Sequence, residues 1–188
     1  MPALSNLLAL SLVVVLAACG GPATRYLVRT SPVSAQVPVK VRSIELRDVT
    51  LPAYGEGTQI LRENADGGLV PIRGSEWADG SAHAITVELA RSLDLRSSAT
   101  VAAEPWPFFD PAEARIDVRL ERVEARADGR FHLSGQFALS SQDGRIRDQI
   151  DRFDIVVPMA DSEPPQIAAA YGAALDELGK KIIARLAR

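Results

Sequence analysis

Residues 114–125 read ARIDVRLERVEA, residues 130–140 read RFHLSGQFALS and residues 145–157 read RIRDQIDRFDIVV. In the first stretch Ile116, Val118 and Leu120 fall on one face and Arg115, Asp117, Arg119 and Glu121 on the other. That period of two is the mark of a half-buried strand. In the second, Phe131, Leu133, Gly135, Phe137 and Leu139 share a face. Ile146 and Ile150 in the third are out of phase with Phe153, Ile155 and Val157, which predicts a bulge there. Asp128-Gly129 and Gln142-Asp143-Gly144 supply the turns. Three strands joined in succession make an antiparallel meander. Its opposite face is heavily charged, so it is solvated or faces a partner.

Working outward, Gln166–Ala187 reads as a terminal helix. Ile167, Tyr171, Ala174, Leu175, Leu178, Ile182 and Leu186 form its apolar stripe. Lys180, Lys181, Arg185 and Arg188 complement the dipole at its C-terminal end. Ser75–Leu95 is a second helix, with Ala78, Ala82, Ile85, Leu89 and Leu93 at three- and four-residue spacing. Gly80 weakens its first turn, which allows a start with Ser81 as N-cap. Tyr26-Leu27-Val28 looks like a strand. Val37–Asp48 alternates as a strand whose phase slips near Ser43. Thr58–Glu63 and Leu69–Arg73 flank the turn-forming run Ala65–Gly68. Ala99–Ala103 is a short strand, expected beside Val37–Leu46 by the right-handed crossover preference. The expected fold is α/β in the broad sense, an α+β mixed sheet: mainly antiparallel, with a long C-terminal meander, packed by two helices.

The chain has 188 residues, a net charge of −3, 47% hydrophobic and 5% aromatic residues, one cysteine and two histidines. The length suits one domain, or two small ones. The mild acidity and few aromatics argue against nucleic acid as a partner. One cysteine makes neither an internal disulfide nor a cysteine-based zinc site, and two histidines leave no histidine-rich one. No metal or cofactor is expected.

Leu7–Ala18 is twelve residues long and eleven are apolar. A bilayer span needs roughly 20, so this is the hydrophobic region of a signal peptide. It ends in Leu16-Ala17-Ala18-Cys19, which resembles the bacterial lipobox. Small residues at 17 and 18 admit a peptidase. The Cys19 thiol would carry diacylglycerol, and its freed amine a third acyl chain. A plain secretory signal is the alternative; no Lys or Arg precedes Leu7. Gly20, where lipoproteins retained at the inner membrane carry Asp, points to the outer membrane of a Gram-negative cell. The expected organisation is a signal peptide at 1–18, a lipidated tether at 19–24 and a single domain at 25–188. A five-residue tether reaches at most about 17 Å. One that ran on to Gln36 would reach much further.

Catalytic chemistry is thin. His83 lies on the first helix with Asp79 at i−4, the spacing of a general base and its partner. His132 alternates with Phe131 and Leu133 and so falls on the polar face of a strand. Neither has a nucleophile-elbow or comparable signature. Asp148, Asp151 and Asp154 are interleaved with Arg147 and Arg152, which makes a charged strand face and not an acid/base dyad. The aromatics Tyr54, Trp77, Trp106, Phe108 and Phe109 sit in loops or at element edges, either as core plugs or as interface anchors. Tyr54, Trp106 and Phe108 are the candidate partner-binding residues. They lie in the irregular segments Leu51–Gly57 and Pro105–Pro111, the latter with three prolines in seven residues.

The order of short motifs resembles a known family. The lipobox is followed by Tyr26-Leu27, then Leu51-Pro52-Ala53-Tyr54, then Gln59-Ile60-Leu61-Arg62. Trp77-Ala78 opens the first helix, Trp106-Pro107 follows it, and Gly135-Gln136-Phe137-Ala138-Leu139 lies in the meander. This is similar to the ABC-type transport auxiliary lipoproteins of the PqiC/YmbA type, membrane integrity-associated transporter subunits, over nearly the whole mature chain. Two positions depart from the family pattern. Gly55-Glu56-Gly57 replaces its usual Leu-Asp-Arg-like run, and Phe137 stands where tryptophan is common. The resemblance implies a non-catalytic subunit of a lipid-transport system that docks between the inner and outer membranes. The implied partners are an MCE-domain protein and, through it, an ABC-type machine. The membrane would be held through Cys19, and a homo-oligomer stays open. The rivals are a small periplasmic hydrolase using His83 or His132, and a structural envelope lipoprotein without a transport partner. An MCE-domain protein encoded beside this chain would favour transport.

Overall fold

The computed structural model describes residues 22–33 and 35–187. The signal peptide, Cys19 and Arg188 lie outside the described residues. The meander is present as β6 (Ala114–Ala125), β7 (Arg130–Ser141) and β8 (Gln149–Pro158), with Ile116 opposite Leu139 and Gly135 opposite Phe153. The bulge is on β6, where the register shifts between Leu120 and Arg122, and not in the third strand. It carries the inward set from Ile116, Val118 and Leu120 to Val123 and Ala125, so one face stays apolar through an odd insertion. Ile146 precedes β8 altogether and is buried from the loop.

Gly135 lies opposite Leu120 at this bulge, and a Cβ there would overlap the Arg119 carbonyl. The close strand approach therefore demands glycine.

β2 (Ser43–Leu46) lies between β6 and β5 (Thr100–Ala103) and is parallel to both, giving a five-stranded sheet in the order β5-β2-β6-β7-β8. The crossover expectation for β5 is met. Ile44, Glu45 and Leu46 are all buried, as befits a parallel strand covered on both faces. The strand is shorter than its alternation suggested: Val37 makes only an isolated bridge to Ser97.

A second sheet has three strands in the order β1-β4-β3, from β1 (Thr24–Tyr26), β3 (Gln59–Glu63) and β4 (Leu69–Trp77). β1 runs parallel to β4, and β3 antiparallel to it. The α+β class holds, but the strands form two mixed sheets, with parallel pairs at β1 and β2. β4 runs on to Trp77, whose N–H donates to Thr58 O, while Ala78 N–H donates to Tyr26 O. Residues 75–77 are therefore strand, and the first helix, α1 (Ser81–Arg96), starts later than its apolar spacing implied. Gly80 is its N-cap, and the Ser81 hydroxyl instead donates to Gly57 O.

The terminal helix α2 (Pro164–Leu186) starts at two prolines, which suit a first helical turn, and buries the expected stripe. Tyr171 packs between Trp77 of the small sheet and Phe131 of the large one, with centroids 6.0 and 4.9 Å away. A Cβ on Gly172 would overlap the Arg29 carbonyl, so its bare backbone admits the segment after β1.

Two carboxylates from the helices pin that segment. Glu88 accepts bonds from the Thr30 N–H and hydroxyl, both at 2.6 Å, and pairs with Arg91 at 2.7 Å. Asp176 accepts from the Ser31 N–H at 2.8 Å and pairs with Arg96 in a buried contact. Breaking a buried pair leaves an uncompensated charge, at a cost of about 3–5 kcal/mol. Burial alone would raise the Glu88 carboxyl, but bonds from Arg91 and Thr30 outweigh it and hold the pKa below its ordinary value.

Two outcomes follow for stability. Gly135→Ala should lower it by about 1–3 kcal/mol through overpacking, read as a drop in the denaturant midpoint at unchanged slope. A depressed folded pKa gives stability that is present above the unfolded value and lost as pH falls through the folded one. Melting should therefore weaken below about pH 4.5, the ordinary value for Glu88. Glu88→Gln should flatten that part of the pH profile, and a profile unchanged by the substitution would refute the clamp.

Candidate docking surface

The segment from β5 to β6 carries the exposed aromatics. It leaves β5 at Ala103 and returns past Glu45, whose side chain lies on the sheet face opposite Ile44 and Leu46. The Trp106 N–H donates to Glu45 Oε1 at 3.3 Å, and Arg115 pairs with Glu45 at 2.9 Å. The Trp106 indole N–H donates to Asp110 O at 2.8 Å, which closes the loop on itself. Phe108 meets the Trp106 ring edge-on at 5.2 Å. Phe108 is 61% exposed and Phe109 is fully exposed, while Trp106 is half-buried. With Pro105, Pro107 and Pro111 fixing φ, this is a stiff loop presenting large apolar rings to solvent.

Tyr54 is placed differently. It sits in a 3-10 turn, Ala53–Gly55. Its hydroxyl accepts from the Val123 N–H at 3.1 Å and donates to Glu124 at 3.4 Å. It thereby satisfies a donor on the edge of β6 just past the bulge. Burial, then the Glu124 charge, raise its pKa against the opposing Val123 bond. Arg115 and Val123 are eight residues apart along β6, or about 25 Å. Tyr54 and Trp106 therefore stand toward opposite ends of that strand and form no single patch. Trp77, weighed with them from sequence, is a core residue.

Each of the two histidines stands beside an aspartate. His83 Nε2 is 3.8 Å from Asp79, and both side chains are more than half exposed. His132 is on the charged strand face as expected, but it is covered, with Nε2 bonded to Asp154. No serine or cysteine is bonded to either among the described residues. Those residues also hold no cluster of three or more metal-ligating side chains, and no helix among them is long and apolar enough to cross a membrane.

Two features escaped the sequence reading. One is the clamp of Glu88 and Asp176 on the backbone of Thr30 and Ser31. The other is a groove of about 190 Å³ between β1 and α1, walled by Tyr26, Leu27, Val28, Ile85 and Trp77 and floored by Tyr171. The Tyr171 hydroxyl is buried with no hydrogen-bond partner among the described residues, and burial, then Tyr54, push its pKa up. A buried unmade bond costs about 1–3 kcal/mol. Tyr171→Phe should therefore keep or raise the melting temperature, and a clear fall would show that the hydroxyl is bonded.

Comparison with known proteins places the chain. It is similar over 87% of its length to a crystal structure of an uncharacterized protein, 98% of which is covered, at TM-score 0.69 and 14% identity. It is likewise similar to a Xanthomonas campestris protein of the DUF330 family, with 87% of this chain and 91% of that one covered, at TM-score 0.60 and 15% identity. These likenesses show a shared fold. Among curated proteins no relative matches the chain. The family model for the ABC-type transport auxiliary lipoprotein component matches residues 26–183, and the chain belongs to that family.

Proposed function

We propose that this chain is an outer-membrane lipoprotein subunit of an MCE/ABC-type lipid transport system, lipidated at Cys19 and acting as a non-catalytic docking component. The observation that carries the reading is the stiff, solvent-facing Trp106–Phe109 loop in a member of a transport auxiliary family. Stiff loops lose little entropy on binding, and desolvated aromatics dominate interface energetics. The MCE-domain protein is the partner for this loop, and Tyr54 marks a second, separate contact. The tether supports the same picture. β1 begins at Thr24 and the chain is clamped again at Thr30, so four residues, Gly20 to Ala23, separate Cys19 from the fold, a span of five Cα steps. A reach of about 17 Å keeps the domain near its membrane, and a longer partner has to come to it.

The test measures assembly and stability in parallel. Phe108→Ala should weaken assembly with the MCE-domain partner by about 2 kcal/mol, roughly thirtyfold, with the melting temperature unchanged. Trp106→Ala should weaken both, because its indole also closes the loop. Unchanged assembly in both variants would remove the loop as the docking surface.

A further inference from the structure

We propose that the groove between β1 and α1 seats one acyl chain of the lipid carried on Cys19 of the same molecule. The inference rests on the lipid-anchor reading of the N-terminus given above. The wall of the groove, Tyr26–Val28, begins seven residues after Cys19, a span of at most about 24 Å. Downstream, the bonds from Thr30 to Glu88 and from Ser31 to Asp176 hold that wall against the helices. The mouth of the groove therefore stays within reach of the tether. At about 190 Å³ it exceeds the apolar cavity of about 150 Å³ that holds a benzene molecule, so it takes several carbons of one chain and not its full length.

The lips and the tether identify the occupant. Leu27 is 53% and Val87 45% exposed, and a hydrocarbon chain lying between them covers both. Asp79 and His83, both more than half exposed, keep the entrance polar. A lipobox cysteine carries three chains, and two already give stable attachment. The chain on the Cys19 amine is therefore available to leave the bilayer without loss of the anchor. A short tether gives an attached chain a local concentration in the millimolar range, which favours it over an untethered lipid or peptide.

The test uses the full lipidated chain. Cells are fed a fatty acid bearing a diazirine and an alkyne, the protein is purified and irradiated, and adducts are mapped by peptide. The expected result is a link within one polypeptide, from Cys19 to peptides containing residues 26–28 and 84–88. Ala84→Phe, which fills the groove from a half-buried helix position, should lose those links while keeping the label. Val87→Gln, at an exposed lip, should reduce them and serves if the first variant does not fold. Label on Cys19 with links only to bilayer lipid, to another protein or to a second copy overturns the seat, as do links unchanged by Ala84→Phe. A chain that takes up no label overturns the anchor reading, and the seat with it.

Discussion

Tyr171 is held between Trp77 of the three-stranded sheet and Phe131 of the five-stranded one, and this contact joins two sheets that share no ladder. The small sheet has only three strands, of three, five and nine residues, and packs against a helix. It depends on α2, which brings Tyr171 to it while Leu175, Leu178 and Ile182 fill the core. The same helix carries Gly172, where the Arg29 carbonyl approaches, and Asp176, which accepts the Ser31 N–H. One helix thus fixes the small sheet and the segment after β1.

The parts of the fold with a strong period were legible in the sequence. The stripe of α2 and the alternation of β6 and β7 repeat over many residues, so one or two exceptions do not hide them. The bulge expected in the third strand is not there; it lies on β6, where the inward residues change from even to odd between Leu120 and Val123. The parallel pairing of β1 with β4 joins residues about fifty positions apart, and nothing local encodes it. Residues 75–77 carried helical spacing, yet β4 continues through them because Thr58 and Tyr26 supply backbone partners for Trp77 and Ala78. Tertiary hydrogen bonding overrode local preference.

The candidate residues divide on the same principle. The exposure of Phe108 was legible from its neighbours, since prolines on both sides rule out regular structure and leave the ring on a loop. Tyr54 gave the same signal, but its hydroxyl meets the Val123 N–H, a backbone group that no pattern marks. Glu88 and Asp176 were invisible for that reason too: their partners are the backbone of Thr30 and Ser31, and their charges read as ordinary helix-surface charges. Glu88 and Asp176 are spent on holding the chain's own backbone, while Phe108 and Phe109 stay exposed to solvent.

The most direct test is recovery of the lipidated protein from its own membranes in mild detergent, followed by mass spectrometry of what accompanies it. The account predicts an MCE-domain protein together with components of an ABC-type transporter. Recovery of the intact lipidated chain with neither would contradict it.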